Sequence, residues 1–437
     1  MGVRKRIRKF RDWCPQPPDR LPTKLKRYSI PIAAVVTATL ILSVSLFVFS
    51  SSLMPSAPIV PLVNAPVSAT PTLLWKYTTS AMEEVYGASP VVVNGVVYTS
   101  EENNYVYALN ATDGTQLWDY FTGEWPSSPA VANGVVYVNT DFSINALNAT
   151  DGTQIWSNEP QYDVPVGFSS PTVADGVVYA GTTNSLDKSE GNVYAMNATN
   201  GKTLWSTPSL AGFATVPSSP TVANGVVYIG DEGAFGWSIP PNTPITQICY
   251  GVYALNATSG AQLWNYNIGY SSGASPVVVG GVVYYVPEED NLFALNATSG
   301  AEIWNYSAPM GNRSQGNLYN VNVDSSPAVV DGIVYLGSDE GNLYAFNAAS
   351  GAILWNYTIG NGTLSTPTVA DGVMYIGSSD GNIYALNATN GIKLWSHTTS
   401  GAVFSPAIVN GVLYAGASNN IYALRVSPAS SPPPKAA

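Results

Sequence analysis

The sequence predicts an all-β fold, an eight-bladed β-propeller, from two repeated phrases and their spacing. The phrase "YALNATDGTQLW" (Tyr107–Trp118) has six near-copies downstream, the last being "YALNATNGIKLW" (Tyr384–Trp395). A second phrase occurs eight times, first as "NGVVY" at Asn94–Tyr98 and last as "NGVLY" at Asn410–Tyr414. Successive copies of its tyrosine lie 39 to 56 residues apart. A unit near 40 residues, lengthened by insertions, is the propeller period.

Each unit contains four short strands, here called A to D. In the second unit, "SSPAVANGVVYVNTDFSINALNATDGTQIW", the strands are "PAVA", "VVYV", "INALNA" and "TQIW". The dipeptide "NG" between A and B is a strong hairpin signal, because both residues tolerate positive φ. A single four-stranded sheet cannot bury both of its faces, but a closed ring of such sheets can.

The two ends of the repeat array predict how the ring closes. The last unit stops at "NNIYALRV" (Asn419–Val426) without a D strand, and the first fragment is an orphan D strand, "PTLLWKY" (Pro71–Tyr77). We therefore expect the N-terminal strand to complete the eighth blade. Every D strand carries a tryptophan, which we expect to pack against the adjacent blade and bury roughly 150–250 Å². These blade-packing residues are Trp75, Trp118, Trp156, Trp205, Trp264, Trp304, Trp355 and Trp395.

The N-terminal region predicts one transmembrane helix before the propeller. Ten of the 17 Lys and Arg residues precede Ser29, and the uncharged stretch Ile30–Phe49 follows them. Twenty apolar residues can cross a hydrocarbon core of about 30 Å, and the basic side stays in the cytoplasm. An uncleaved signal anchor with external repeats is the interpretation, and a cleaved signal peptide is the alternative. The predicted organisation is a basic cytoplasmic leader (1–29), the anchor (30–50), a Pro-rich tether (51–70), the propeller (71–426) and a disordered tail (427–437).

The charge beyond the leader excludes one class of partner. After residue 28 the chain holds seven basic and 26 acidic residues. Such a surface repels polyanions, so we expect no nucleic-acid binding.

The repeat also resembles a known family. "YALNATDGTQLW" is similar to the alanine-aspartate-threonine-glycine-tryptophan docking repeat of pyrroloquinoline-quinone (PQQ) type propellers. That superfamily includes the quinoprotein alcohol dehydrogenases and the propeller lipoprotein of the outer-membrane barrel-assembly machine. The resemblance covers residues 71 to 425 and implies the fold rather than a function, because the repeat is structural in every member. The "NAT" spelling resembles archaeal surface members, which implies a cell-surface location.

The resemblance does not extend to the residues that the family's enzymes use for chemistry. The cofactor-using enzymes of the family carry an adjacent cysteine pair, a calcium-binding carboxylate set, a catalytic aspartate and a basic residue over the quinone. No Cys-Cys pair occurs, and only five basic residues lie between Ser80 and Arg425, counting Arg425 itself. We therefore expect no PQQ, no catalytic residue and no resident metal. A PQQ- or metal-dependent oxidoreductase is the alternative hypothesis.

Two weaker metal signals have simpler interpretations. Carboxylates recur at the B–C turns, as in "SSDGN" (Ser378–Asn382). They are interpreted as turn residues, and a calcium-binding site is the alternative interpretation. His397 is the only histidine and cannot by itself form a histidine-based zinc or copper site. It is interpreted as a polar surface residue at the exit of a D strand.

The sequence contains ten acceptor motifs for N-glycosylation, six of them in the repeated "NAT". Asparagine is also a common turn residue, which explains its position but not the threonine that follows. On an exported chain we expect some of these sites to carry glycan, with Asn305, Asn312 and Asn361 favoured because they fall in longer predicted loops. The acceptors are Asn110, Asn148, Asn197, Asn256, Asn296, Asn305, Asn312, Asn356, Asn361 and Asn387.

Blade topology separates two faces of the predicted ring. The A–B and C–D turns form one face, here called the turn face. The B–C loops and D-to-A crossings form the other, the loop face. All long insertions fall on the loop face of blades 2 to 6, and loops of a scaffold are where function concentrates. The insertions are Ser157–Phe168, Gly181–Gly191, Ser206–Val216, Gly230–Tyr250 and Asn305–Val323.

Aromatic residues in these loops predict a binding face, because aromatic anchors dominate binding hot spots. A plug of the central channel by Trp237 and its neighbours is the alternative. The predicted function is a membrane-anchored, non-catalytic scaffold for another envelope protein or a surface glycan, with a structural surface-layer glycoprotein as a further alternative. The candidate binding residues are Trp125, Tyr162, Phe168, Phe213, Phe235, Trp237, Tyr250 and Tyr319.

Overall fold

Eight four-stranded antiparallel sheets make up the described part of the chain in a computed structural model. The structure describes residues 70–79, 88–101, 103–140, 142–159, 169–182, 192–207, 218–230, 251–268, 274–287, 291–307, 325–338, 341–360 and 362–426. Among these residues no helix has the length and apolar character needed to cross a membrane. The predicted leader, anchor and tail lie outside them, as does the tether except for Thr70.

The strands are numbered β1 to β32 in chain order. The A strands are β2 (Val91–Val93), β6 (Ala130–Ala132), β10 (Thr172–Ala174), β14 (Thr221–Ala223), β18 (Val277–Val279), β22 (Ala328–Val330), β26 (Thr368–Ala370) and β30 (Ala407–Val409). The B strands are β3 (Val96–Glu101), β7 (Val135–Asn139), β11 (Val177–Thr182), β15 (Val226–Gly230), β19 (Val282–Tyr285), β23 (Ile333–Gly337), β27 (Val373–Gly377) and β31 (Val412–Ala417).

The two outer strands of each blade complete the set. The C strands are β4 (Tyr105–Asn110), β8 (Ile144–Asn148), β12 (Asn192–Asn197), β16 (Gly251–Asn256), β20 (Asn291–Asn296), β24 (Asn342–Asn347), β28 (Asn382–Asn387) and β32 (Asn420–Arg425). The D strands are β1 (Thr72–Thr78), β5 (Gln116–Phe121), β9 (Gln154–Asn158), β13 (Thr203–Ser206), β17 (Gln262–Asn267), β21 (Glu302–Ser307), β25 (Ile353–Thr358) and β29 (Lys393–Thr398).

The ring closes by strand exchange, as the sequence predicts. β1 pairs antiparallel with β32, and Thr72 lies opposite Arg425 while Thr78 lies opposite Asn420. The resulting eighth sheet has the order β1-β32-β31-β30. The innermost strand of that sheet, β30, also contacts β2 of the first blade. The N- and C-terminal parts of the propeller are therefore held in one blade.

The A–B turns explain the repeated Asn-Gly and Asp-Gly pairs. Asn94 and Gly95 have φ of 51° and 78°, so both residues of the two-residue turn are left-handed. This is the hairpin turn whose twist matches the flanking strands, and it favours asparagine, aspartate and glycine. Seven of the eight described A–B turns start with asparagine or aspartate, and the fifth blade uses Gly280, with φ of 59°.

One carbonyl in each C–D turn joins two neighbouring blades. The Trp75 Nε1–H and the Tyr414 hydroxyl, from two strands of blade 8, both donate to the carbonyl of Ala111 in blade 1, at 3.0 and 3.1 Å. The two rings are tilted by 48° with centroids 5.9 Å apart. The same pair of donors occurs at seven junctions. The acceptors are Ala111, Ala149, Ala198, Ala257, Ala297, Ala348 and Ala388.

The glycine of the same turn packs on the tryptophan ring. At Gly114, which has φ of +74°, an added Cβ would lie 2.6 Å from two ring carbons of Trp75. The position therefore needs glycine both for its backbone angle and for the contact. The eighth junction differs because blade 8 ends with β32 and has no C–D turn. There Trp395 is buried in a cluster that includes Val426.

Three details differ from the sequence-based expectations. D strands continue to pair with strand C beyond the tryptophan, as in Val106 opposite Tyr120, so the predicted insertions at Ser157 and Asn305 begin later. Asn305 lies inside β21 and not in a loop, so the prediction of a loop site there was wrong. His397 lies within β29 opposite Ile383, because the same pairing extends that strand to Thr398.

Candidate binding face

The loop face of blade 1 presents two exposed aromatic side chains in the described part of the chain. Trp125 is 61% exposed and Phe121 is 57% exposed. Phe121 is the last residue of β5, and Trp125 lies in the crossing from β5 to β6. Of the eight candidate binding aromatics, only Trp125 is described. The other seven lie outside the described residues: Tyr162, Phe168, Phe213, Phe235, Trp237, Tyr250 and Tyr319.

The sequence reasoning missed Phe121, although the pattern of the strand carries a signal for it. Trp118 is buried against blade 2, and Phe121 is three residues further along β5. Side chains alternate along a strand, so an odd separation places the two aromatics on opposite faces of the sheet. Phe121 therefore does not belong to the inter-blade packing that accounts for Trp118.

The chain between the two aromatics is fixed by Thr122. The Thr122 N–H donates to the Asn104 carbonyl at 2.8 Å, and the Thr122 hydroxyl lies 2.7 Å from that carbonyl and 2.6 Å from the Glu124 carbonyl. Asn104 in turn donates from Nδ2 to the Gly123 carbonyl at 3.2 Å. These bonds define the path of residues 122 to 124, so Trp125 emerges from an ordered turn.

The crossing from β29 to β30 has the same three threonine hydrogen bonds without the aromatics. Thr399 donates to Gly381 through its N–H at 2.8 Å, and its hydroxyl lies 2.9 Å from the Gly381 carbonyl and 3.0 Å from the Gly401 carbonyl. The residues corresponding to Phe121 and Trp125 are Thr398 and Ala402. The backbone of this crossing therefore does not require aromatic side chains at either position.

Phe121 continues a row of aromatic rings across the outer part of blade 1. Its ring centroid lies 5.1 Å from that of Tyr105, which lies 5.9 Å from that of Tyr107. Tyr107 is a further 5.9 Å from Tyr77 of β1. Contacts of this kind restrict side-chain rotation and add roughly 0.5–1.5 kcal/mol per pair. The exposed ring of Phe121 is thus supported from behind.

Buried polar residues lie at the loop-face ends of the B strands in blades 1 and 2. In five blades the second residue after the repeated B-strand tyrosine is glycine. At Gly230, for example, an added Cβ would lie 2.5 Å from the Tyr285 ring. Blades 1 and 2 have Ser100 and Asn139 instead, which are both fully buried. The Ser100 hydroxyl donates to the Ser127 carbonyl at 2.6 Å, and Asn139 Nδ2 donates to the Ser169 carbonyl. These side chains bridge blades 1, 2 and 3.

Two atoms of this polar region are not satisfied within the described residues. They are Thr99 Oγ1 and Asn139 Oδ1, both on side chains with no exposed surface. A buried polar atom without a partner costs roughly 1–3 kcal/mol. Glu101, at the end of the same strand as Thr99, is only 1% exposed. The sequence signal was the loss of glycine from the repeated "Tyr-x-Gly" in these two blades.

The carboxylate turn for which calcium is the alternative binds protein donors. At the turn Ser378–Asn382, Asp380 Oδ1 accepts from the Asn382 N–H at 2.9 Å and Oδ2 accepts from the Tyr384 hydroxyl at 2.6 Å. Both carboxylate oxygens of this turn thus have protein donors. Within the described ranges, no three His, Cys, Asp or Glu side chains are grouped so that they could hold a metal ion.

The ten glycosylation acceptors fall into three structural groups. Asn305 and Asn356 lie in D strands, and Asn312 and Asn361 lie outside the described residues. The other six end a C strand and open a C–D turn on the turn face. They are Asn110, Asn148, Asn197, Asn256, Asn296 and Asn387.

His397 provides a prediction for pH dependence. Burial lowers the pKa of His397 below 6.5, its usual value, and its ring meets Tyr422 edge-on with centroids 6.4 Å apart. As the pH falls, the unfolded chain therefore binds a proton at a higher pH than the folded chain does. We expect this contribution to stability to be complete above about pH 6.5 and to be lost as the pH falls through the lower folded-state pKa.

The histidine prediction can be checked by NMR because the chain has a single histidine. The titration midpoint of the imidazole protons should be lower in the folded protein than in the urea-unfolded protein. Equal midpoints in the two states would show that the ring is not desolvated as the structure indicates.

Solved structures of other proteins share this architecture. The crystal structure of BamB from Moraxella catarrhalis superimposes with a TM-score of 0.61 at 17% identity, covering 82% of this chain and 98% of that one. The quinohemoprotein alcohol dehydrogenase from Comamonas testosteroni gives 0.67 at 18%, covering 83% and 77%. The computationally designed Ika8 protein gives 0.61 at 11%, covering 80% and 98%. At these identities the likeness shows the fold alone.

The sequence itself identifies the family. No curated protein matches it. The family model described as outer membrane protein assembly factor BamB matches residues 62–237, 250–322 and 312–428, which is well over half of the chain. The chain therefore belongs to the BamB family of PQQ-like β-propellers.

Proposed function

We propose that this protein is a membrane-anchored, externally displayed and non-catalytic scaffold that binds another protein of the cell envelope through its loop face. Phe121 and Trp125 are the contact residues assigned within the described part of that face. The observation that carries the proposal is the comparison of two crossings. The crossing to β30 makes the same three threonine hydrogen bonds with Thr398 and Ala402 at these positions, so the backbone of the turn does not require the exposed aromatics Phe121 and Trp125.

The geometry suits binding because the aromatics are held in place before a partner arrives. Thr122 and Asn104 fix the turn, and Tyr105 supports Phe121. A pre-organised contact loses less conformational entropy on association, and aromatic residues are enriched among hot spots. The family match adds support, since the matching family model is described as an outer membrane protein assembly factor.

The N-terminal sequence and the course of the chain support the proposed location. The basic leader and uncharged stretch Ile30–Phe49 support a single span with the N-terminus inside. The first strand enters the ring at the turn face, because Thr72 lies opposite Arg425, the last residue of β32. A Pro-rich tether of about 20 residues then leads to the turn face. The tether is accordingly attached on the side of the propeller opposite to the loop face.

The test replaces the two aromatics with the residues of the sibling crossing. The full-length double variant Phe121→Thr/Trp125→Ala should fold as the wild type does, yet lose most of the envelope protein that co-purifies with wild type under mild crosslinking. A decrease of tenfold or more is expected if both rings are hot-spot residues, at about 1.4 kcal/mol per tenfold. Unchanged co-purification by the folded variant would reject this face as the binding surface.

A matched control uses an exposed apolar residue away from the loop face. Leu263 is 44% exposed on β17, and Leu263→Ala should leave co-purification unchanged. If soluble surface polysaccharide competes for the wild type while no protein is crosslinked, the partner is a glycan and the protein assignment is wrong.

The same fold also occurs in quinoprotein dehydrogenases, so the non-catalytic part of the proposal needs its own test. Protein purified in full length from its native membrane should contain no bound quinone by absorbance and mass spectrometry. A stoichiometric quinone that resists dialysis would support the oxidoreductase alternative and overturn the scaffold assignment.

A further inference from the structure

We propose that the six Asn-Ala-Thr turns on the rim of the turn face carry N-linked glycans. The inference rests on the export of the propeller proposed above, because the transfer of such glycans acts on exported chains. C–D turns connect the two outer strands of each blade, so these sites follow the outer edge of the ring. The modified residues are Asn110, Asn148, Asn197, Asn256, Asn296 and Asn387.

The asparagine side chain is held in one orientation at all six turns. In each, Oδ1 accepts a hydrogen bond from the backbone N–H of the threonine two residues later, at 2.8 to 3.0 Å. The Nδ2 atoms donate no hydrogen bond to the described part of the protein. The oxygen of the amide is therefore used by the turn, and the nitrogen, to which the glycan is attached, is available.

The threonine is not needed for the turn. In blade 6 the repeat has Asn347-Ala348-Ala349, and Asn347 Oδ1 still accepts from the Ala349 N–H at 3.1 Å. The Gly351 N–H likewise donates to the Asn347 carbonyl at 2.8 Å, as Gly260 does to Asn256. An alanine thus supports the same geometry that threonine supports in the other six turns.

The threonine hydroxyl also lacks a structural partner. The six threonines are exposed and their Oγ1 atoms make no hydrogen bond to other described residues. An Asn-X-Thr acceptor requires the hydroxyl group at this position. Turn formation explains the asparagine, and glycan transfer explains the threonine. The six threonines are Thr112, Thr150, Thr199, Thr258, Thr298 and Thr389.

The two acceptors in D strands are structurally different. Asn305 Nδ2 donates to the Glu302 carboxylate, so the attachment atom is engaged. At Asn356 the hydroxyl of Thr358 donates to Asn342 Oδ1 at 2.8 Å, so the threonine has a structural use. The geometry therefore selects the six turn sites from the eight described acceptors.

The transfer requires a polyprenyl-phosphate- or polyprenyl-pyrophosphate-linked oligosaccharide as donor. The bond between the anomeric carbon and the phosphate oxygen breaks, and the lipid phosphate leaves with the electron pair. A bond forms between the anomeric carbon and Nδ2, which loses one proton. Glycans attached at the six sites leave the loop face clear and lie on the rim of every blade except blades 6 and 8.

Glycopeptide mapping of the full-length protein from the cells that make it tests the proposal. Three proteins are compared: wild type, Thr258→Ala and Ala349→Thr. Asn256 should carry glycan in wild type and lose it in Thr258→Ala. Asn347 should be bare in wild type and gain glycan in Ala349→Thr. Both substitutions keep the backbone donor to the asparagine, so thermal unfolding should differ little from wild type.

The outcomes separate this proposal from the proposed function. External protease added to intact cells reports whether the propeller is exported. Bare Asn256 in wild type, with no gain at Asn347 in the Ala349→Thr variant, would overturn the glycan proposal in a protein that the protease reaches. A propeller that the protease does not reach would overturn the export on which both proposals rest.

Discussion

Replacing Gly260 with alanine is expected to destabilise the propeller by about 2–5 kcal/mol, whereas the same change at Gly225 costs about 1–2 kcal/mol. Both glycines have left-handed φ, +71° and +74°, so both variants carry the same backbone strain. They differ in surroundings. An alanine Cβ at position 260 would lie 2.6 Å from the Trp205 ring, whereas no atom lies within 4 Å at position 225.

The tryptophan cannot easily yield to the added methyl group. Trp205 donates from Nε1 to the Ala257 carbonyl at 2.9 Å, which fixes the ring over the turn. Urea unfolding of the full-length wild type and the two variants measures the difference. Equal losses for Gly260→Ala and Gly225→Ala would mean that the glycine–tryptophan contact does not hold the blades together.

The propeller is expected to lose its stability and unfold as the pH rises from about 10 to about 12. Burial, with a smaller contribution from the negative charge of Asp331, raises the pKa of Tyr335 to about 12. Burial and Asp371 do the same for Tyr375. Both side chains are only 2% exposed. The folded state therefore keeps its protons at a pH where the unfolded state, with a tyrosine pKa near 10, loses them.

The direction of the effect follows from which state binds more protons. The stabilisation from a raised tyrosine pKa is complete below pH 10 and is lost as pH rises toward the folded pKa. A rise of the tyrosine pKa from about 10 to about 12 corresponds to about 3 kcal/mol per tyrosine at most. Six equivalent tyrosines at other junctions also have a raised pKa, caused chiefly by burial: Tyr98, Tyr137, Tyr179, Tyr228, Tyr284 and Tyr414.

Absorbance near 295 nm and far-UV circular dichroism together test this prediction. The buried tyrosines should ionise in the same narrow pH range in which the β structure is lost. The Tyr335→Phe variant should unfold at a higher pH, because Trp355 still donates to the Ala388 carbonyl at 3.0 Å. Ionisation of the buried tyrosines near pH 10 with an intact fold would contradict the account.

Much of the architecture could be predicted because the repeat states its own turn chemistry. Asn94-Gly95 and its equivalents are the residues that tolerate two successive left-handed angles, so each hairpin could be located. The orphan strand before the first unit and the missing strand after the last one predicted the closure through β1 and β32. These features depend on local residues and on counting.

The inter-blade contacts could not be predicted in detail because they depend on how neighbouring sheets meet. The carbonyl of Ala111 receives donors from Trp75 and Tyr414, which are far apart in sequence. The ring contact between Phe121 and Tyr105 depends on a bulge, because the pairing of β4 and β5 skips a residue between Trp118 and Gln116 and so brings Phe121 opposite Tyr105. The buried polar atoms of Thr99 and Asn139 depend on packing around single departures from the repeat.

Site-specific photo-crosslinking in intact cells tests the central claim most directly. A photoreactive phenylalanine derivative is placed at position 125 on the loop face or at position 262 on the turn-face end of β17, where Gln262 is exposed. The account predicts one crosslinked envelope protein from position 125 and none from position 262. Crosslinking from position 262 alone, or no adduct at either position in a folded and exported protein, would contradict it.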